Sequence, residues 1–379
     1  MPRRPRVAIA HDYLTQRGGA ERVVVSMLRA FPEATVHTLI YNPDTTFPEF
    51  RDATVVTSPI NRVGAFRRDH RAALSVMPWA VSQMHIDADV VIASSSGWAH
   101  GMSTSGRKLV YCHAPARWLY QRDRYLGGSP ARSAQGLALF AMQGWLTRWD
   151  RRAAGTADTY VVNSRDVQRR VAETYGIGAH VLHPPVGVDP SGERRPVPQV
   201  ADRQPLRYHL LVSRLLPYKN VDRAVEAFRG LPDRLVIVGS GPLEEGLRTS
   251  LPDNVVLLTR MGDPEMRWLY DNATALVAPS YEDFGLTPIE AAAFGKPTLA
   301  LKAGGYLDTV EEGVNGLFFT EPTAEAIRAA VVACGDHPID PAAIRQHGEN
   351  FSEHRFHERL RDAVDRLQGS PAPLPPTSV

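Results

Sequence analysis

The sequence predicts an α/β protein built from two tandem doubly wound parallel-sheet domains, and three observations lead there. Short apolar runs bounded by turn residues alternate with segments of helical period. The alternation breaks once, at a proline-rich stretch, and then restarts. A length of 379 residues, 43% apolar and 22% charged, is ordinary for a folded chain of two or three domains and excludes collagen, coiled coil and general disorder.

In the first half the strand-like runs are Arg6–Ala10, Thr35–Ile40, Asp89–Ala93, Lys108–Cys112, Thr159–Asn163 and His180–His183. Such runs separated by helices make βαβ units and a parallel sheet. Pro184 through Pro205, dense in proline and charge, cannot continue a strand or a helix, so the linker is placed there. The expected domains are therefore 1–190 and 205–350. In the second, Tyr208–Ser213, Leu235–Gly239, Val255–Leu258, Ala275–Pro279, Thr298–Leu301 and Gly316–Phe319 read as strands, with helices such as Asp222–Phe228 and Glu265–Asn272 between them. A last amphipathic helix, about 352–367, carries Phe356, Leu360 and Val364 at i, i+4 and i+8 and is expected to pack back on the first domain. The Pro/Ser-rich tail, 369–379, reads as disordered.

Net charge +2 hides an asymmetry: residues 1–190 hold 23 Lys+Arg against 15 Asp+Glu, and the remainder 20 against 26. The basic residues are dispersed and no nucleic-acid motif accompanies them, so no nucleic-acid partner is expected. Cys112 and Cys334 stand in no ligand spacing and read as buried thiols. No window approaches 18 consecutive apolar residues, and the N-terminus lacks a signal-peptide core, which reads as cytoplasmic.

Open parallel sheets bind ligands outside the carboxyl ends of their strands, and two such sheets are expected to face a central cleft. At one strand end Ser213-Arg214-Leu215-Leu216-Pro217-Tyr218-Lys219-Asn220 brings out two cations suited to a diphosphate, or merely two solvated loop charges. At another, Ala278 to Gly295 runs from an apolar strand through a glycine loop into a helix. Thr287 is its expected N-cap, with Pro288 at N1 and Glu290 at N3 completing a capping box. The free N–H groups of that helix start suit a phosphate without a metal. Glu282 on the loop and Glu290 in the first turn then supply one carboxylate for a sugar and one for a ribose, the outline of a nucleotide-sugar pocket.

Glu282 and Glu290 form an E-x7-E motif. Together with Arg214, Lys219, Val238-Gly239-Ser240-Gly241-Pro242 and Gly304-Gly305 it resembles the C-terminal domain of family-4 retaining glycosyltransferases of GT-B fold. The first half resembles the same family through Ala10-His11-Asp12-Tyr13, Gly18-Gly19-Ala20-Glu21-Arg22, Ser94-Ser95-Ser96, Tyr111-Cys112-His113-Ala114-Pro115-Ala116-Arg117 and Val162-Asn163-Ser164. Similarity runs to about residue 367.

The resemblance implies that Arg214 and Lys219 neutralise the donor diphosphate, and that the Phe284, Gly285 and Leu286 amides bind phosphate and donor sugar. It implies further that Glu282 holds sugar hydroxyls, that Glu290 holds the ribose, and that His113 lies near donor sugar and acceptor. It also implies that the Gly18–Gly19 loop approaches the diphosphate from the first domain, and that base recognition, largely by backbone, falls around Gly239–Pro242, with Gly239 and Gly241, and around Arg260–Gly262. Asp12 and Arg117 are candidate acceptor contacts. One departure stands out: Asp308 occupies a position after Gly304-Gly305 where the family commonly has glutamate.

The implied reaction is retaining transfer of a hexose from a nucleotide-diphosphate sugar, of GDP-mannose or UDP-glucose/UDP-GlcNAc type, to a sugar, lipid-linked or small-molecule acceptor. The first domain would take the acceptor and the second the donor, with closure over the linker. No metal and no cofactor are expected, because Arg214, Lys219 and the helix N-terminus replace a cation; Asp87-Ala88-Asp89 introduces a strand instead of ending one. A dinucleotide oxidoreductase is the first rival, but Gly239-x-Gly241 fails its fingerprint at Glu244. A nucleotide-sugar epimerase, a phosphorylase and a catalytically silent nucleotide-sugar-binding protein remain alternatives within the fold. The basic and apolar segment 61–79, with Arg67, Arg68 and Arg71, is either a surface helix or a peripheral membrane contact.

Overall fold

The computed structural model describes residues 5–121, 134–203 and 206–369, with side-chain surroundings left aside for 134–141. The expected disordered tail lies outside these residues from 370 onward, and Gly369, assigned to it by the sequence, instead ends a helix, Glu353–Gly369. The chain divides into two compact units, Met1–Pro185 with Glu353–Val379, and Val186–Ser352.

The strands of the first unit are β1 (Val7–His11), β2 (Thr35–Thr38), β3 (Val55–Thr57), β4 (His85–Ile86), β5 (Val90–Ser95), β6 (Ser103–Thr104), β7 (Arg107–Cys112), β8 (Thr159–Val162) and β9 (His180–Val181). Seven of them form one parallel sheet in the order β3-β2-β1-β5-β7-β8-β9, while β4 and β6 pair separately. β5 is buried at every position, as a central parallel strand covered on both faces must be. Successive residues of β1 serve opposite layers: Ala8 and Ala10 pack with Met77, Trp98 and Val162, and Ile9 with Val24, Met27 and Tyr111. Into that second layer the helix Glu353–Gly369 inserts Phe356, Leu360, Val364 and Leu367.

The second unit holds β10 (Tyr208–Val212), β11 (Arg234–Val238), β12 (Val255–Leu258), β13 (Ala275–Ala278), β14 (Thr298–Leu301) and β15 (Gly316–Phe319), all parallel, in the order β12-β11-β10-β13-β14-β15. The chain therefore leaves in opposite directions on the two sides of one strand pair in each unit, β1/β5 in the first and β10/β13 in the second. Loops diverge at such a switch point and leave a crevice at the strands' carboxyl ends.

Three expectations change. The stretch placed as a linker contains a short helix, Pro198–Ala201, and Val197 and Val200 are buried in the core of the second unit; proline at its first turn starts this helix instead of preventing one. β3 was not expected, because three half-exposed residues at a sheet edge carry no apolar run. Segment 61–79 is not one helix but four short pieces, Pro59–Arg62, Gly64–Arg68, His70–Ala73 and Met77–Ser82. Among the described residues no helix is long and apolar enough to cross a membrane.

Candidate active site

In the second unit the loops after β10 and β13 meet at the switch point. The first turns through Pro217–Lys219 into Asn220, whose left-handed backbone (φ 54°) starts the helix Val221–Phe228. Its side chain donates to the Pro279 carbonyl at 2.9 Å, tying the two loops together. Lys219 is thereby buried, its Nζ 4.7 Å from the centre of the Tyr218 ring. A buried ammonium needs a partner, and Lys219 finds it in the carboxylate of Glu282. Ser280 holds the same carboxylate oxygen at 2.6 Å, and its hydroxyl lies 3.3 Å from that of Tyr306. Burial, with Glu282 beside it, keeps the Tyr306 phenol far above its ordinary pKa and hence neutral. Arg214 remains at the rim, 3.4 Å from the Tyr218 hydroxyl.

The glycines of this unit are required by close approach. A side chain on Gly239 would overlap the Ser213 carbonyl, and one on Gly241 (φ 155°) would meet the Leu215 carbonyl at 2.6 Å. The glycine loop after β11 thus lies flat against the loop that carries Arg214, with Leu215 N–H donating to the Ser240 carbonyl at 2.9 Å. Gly305 lies against Phe284 in the same way, its N–H donating to the Glu282 carbonyl at 2.9 Å.

The capping box is not formed. The helix runs Leu286–Ala293 with Gly285 as its N-cap, at φ 88°, and no side chain caps it. Any side chain on Gly285 would run into the Tyr306 ring, so the turn is set by glycine and Thr287 falls inside the first turn. The open N–H groups of Leu286 and its neighbours suit an anion. Phe284, one residue before Gly285, is buried against Ile289 and Phe351. Glu290 accepts from the Tyr270 hydroxyl at 2.7 Å.

In the first unit the site residues gather where β1, β5 and β7 end. His113 follows β7, with its N–H donating to the Ser95 carbonyl and its own carbonyl accepting from Asn163 Nδ2, each at 2.9 Å. Its Nε2 lies 2.8 Å from Ser94 Oγ, which is 3.0 Å from His11 Nδ1. Burial first, then His11 and the Arg117 guanidinium, hold the His113 pKa down to about 3, so the ring is neutral. Arg117 starts the short helix Arg117–Tyr120.

Asp12, just after β1, is tied to the loop after β5. It is buried, and its carboxylate accepts from the N–H groups of Ser96 (2.6 Å), Trp98 (3.1 Å) and Ala99 (2.6 Å), fixing the turn after β5. Gly18 caps the helix Gly19–Ala30, and the space for a side chain on it is taken by the buried carboxylate of Glu21, whose pKa burial pushes up. Asp87 and Asp89 bind Arg6 at the opposite, amino end of β5. Ser280, Tyr306, Tyr270 and the part played by Ser94 are not among the residues that the motifs single out. Only Tyr306 had a nearby signal, the adjoining Gly304-Gly305.

Residues 17–191 match the family described as Glycosyltransferase Family 4, and residues 198–350 the family described as Glycosyl transferases group 1. The chain is thus built of two glycosyltransferase-family domains, family 4 followed by group 1. This glycosyltransferase is 30% identical over 241 residues to the GDP-mannose-dependent alpha-(1-6)-phosphatidylinositol monomannoside mannosyltransferase of Mycolicibacterium smegmatis, in a match covering 56% of this chain and 62% of that protein. It is 23% identical to an alpha-1,3/1,6-mannosyltransferase of Dictyostelium discoideum, over 95% of this chain and 98% of that one. Among solved structures, Anabaena Alr3699/HepE in complex with UDP superposes with a TM-score of 0.66 at 17% identity, covering 95% of this chain and 99% of that one. The fold of this glycosyltransferase is GT-B, as expected.

Proposed function

We propose that this glycosyltransferase moves a hexose from a nucleoside-diphosphate sugar to a hydroxyl acceptor with retention at the anomeric carbon, the second unit taking the donor and the first the acceptor. The observation that carries the reading is the buried Lys219–Glu282 pair at the β10/β13 switch point, beside a helix start left open by Gly285. As the glycosidic bond breaks through an oxocarbenium-like state, negative charge grows on the departing diphosphate. Lys219, Arg214 and the N–H groups at Leu286 meet that charge from fixed positions, which is where electrostatic catalysis is strongest. Lys219 drawn toward phosphate leaves Glu282 to accept from sugar hydroxyls, and Glu290, oriented by Tyr270, accepts from the ribose. No metal is required for this charge balance.

Two mannosyltransferases among the relatives favour GDP-mannose over UDP-glucose or UDP-GlcNAc as donor. The phosphatidylinositol mannoside named in the mycobacterial relative favours a lipid-linked acceptor. Exposed Trp79 and Val63, close in sequence to Arg62, Arg67, Arg68 and Arg71, would suit peripheral contact with an anionic membrane. The test is transfer from each nucleotide sugar to lipid-linked and soluble acceptors, with product NMR reading the anomeric configuration. Mannose transfer with retention is expected; inversion, or donor turnover independent of any acceptor, overturns the reading.

A further inference from the structure

Ser94 is completely buried, and its hydroxyl lies between two imidazoles. On one side His11 Nδ1 is 3.0 Å from Ser94 Oγ and 3.1 Å from the Ser94 backbone oxygen. On the other, His113 Nε2 is 2.8 Å from the same Oγ. A backbone carbonyl only accepts, so His11 Nδ1 must carry a hydrogen and donate. The hydroxyl has one hydrogen of its own. With His11 donating toward it, the arrangement that satisfies every group has Ser94 donating to His113 Nε2, which therefore carries no hydrogen.

We infer that His11 and Ser94 are positioning residues that fix His113 as its Nδ1–H tautomer, so that the ring presents Nδ1–H, and not Nε2–H, as a hydrogen-bond donor to a ligand oxygen. Neutrality of the ring follows from its depressed pKa, and a neutral imidazole has a single donor. Rotation of the ring is resisted on its flanks by Tyr111, 5.2 Å away between ring centres, and by His11 at 6.5 Å edge-on. The Tyr111 hydroxyl is committed to the Leu182 carbonyl at 2.8 Å and does not compete for the imidazole. Among the described residues none bonds His113 Nδ1, and the residue keeps 9% of its surface exposed. Nδ1 is thus the nitrogen left for a ligand. The consequence for turnover rests on the proposed function, in which His113 meets the donor sugar or acceptor; the tautomer itself does not.

The test is long-range 1H–15N correlation at pH 7 on the full chain with ring-15N histidine, His113 being assigned by its loss in His113→Gln. The expected spectrum shows Nδ1 pyrrole-like and Nε2 pyridine-like. In Ser94→Ala the His113 nitrogen shifts should move toward the Nε2–H form, and kcat/KM should fall about tenfold or more, the scale of one misdirected hydrogen bond in a buried site. A wild-type His113 that is Nε2–H or doubly protonated overturns the inference without any variant having to fold. Ring shifts unmoved in Ser94→Ala, or moved with no change in kcat/KM, overturn the positioning role. Absence of transfer by the wild-type protein would count against the proposed function alone, because the tautomer is read with no substrate present.

Discussion

The Tyr270 hydroxyl donates to Glu290 Oε2 at 2.7 Å, joining two helices through residues 20 apart in sequence. One carboxylate oxygen is thereby held, and the direction of the other is restricted. In the proposed site that direction is toward the ribose.

Tyr270→Phe should therefore weaken nucleoside diphosphate binding about five- to tenfold, the scale of one hydrogen bond. Inhibition by inorganic pyrophosphate, which has no ribose, should be unchanged. Competition assays with both ligands check this, and equal weakening of the two would remove the ribose assignment from Glu290.

In the proposed site Glu282 and a bound diphosphate compete for the Lys219 ammonium. Glu282→Gln keeps the shape and removes the competing charge, so it should bind free nucleoside diphosphate at least as tightly as wild type. Its transfer rate should nevertheless fall about 100- to 1000-fold, as when a fixed group facing the reacting centre is lost. Binding and turnover measured on one preparation separate these effects; joint weakening contradicts the competition.

Gly285→Ala places a methyl group against the Tyr306 ring at φ 88°, where an L side chain is already strained. A loss of about 1–3 kcal/mol of stability in the second unit is expected, with nucleotide affinity falling alongside as the helix start is displaced. Urea unfolding and nucleotide titration of this variant check both, and a variant as stable as wild type with intact binding would show that the turn is not so constrained.

His113 makes the first unit acid-sensitive in a definite direction. Its pKa is about 3 when folded and about 6.5 when unfolded, so between those values the unfolded chain binds the extra proton. Stability from this group is complete above pH 6.5 and declines as pH falls toward 3, by about 2 kcal/mol at pH 5. His113→Gln should flatten that decline relative to wild type. Tryptophan fluorescence suits the measurement, since five of the six tryptophans, Trp79, Trp98, Trp118, Trp145 and Trp149, lie in the first unit. Identical pH slopes in the two proteins would contradict a buried neutral ring.

Where a structural feature depends on neighbours in sequence, it was legible. The parallel strands are continuous apolar runs, and β10, β13 and β14 differ from their expected bounds by two residues at most. The stripe Phe356, Leu360, Val364 is buried on a helix as its spacing requires. Features that depend on distant partners were not legible. That Asp12 holds the turn after β5 could not be read from sequence, because its backbone donors lie 84 to 87 residues away. Thr287 looked like an N-cap because nothing local reveals that the Tyr306 ring sets the conformation at Gly285. Lys219 and Glu282 each belong to a recognisable motif, but they lie 63 positions apart, and spacing cannot show that they neutralise each other.

That pair also offers the most direct test of the account. Isothermal titration of GDP and UDP, in EDTA, into wild type and Lys219→Ala should show one nucleoside diphosphate binding without metal and weakening at least tenfold in the variant. Binding that requires an added divalent cation, or that is equally tight in Lys219→Ala, would contradict a diphosphate site built on Lys219.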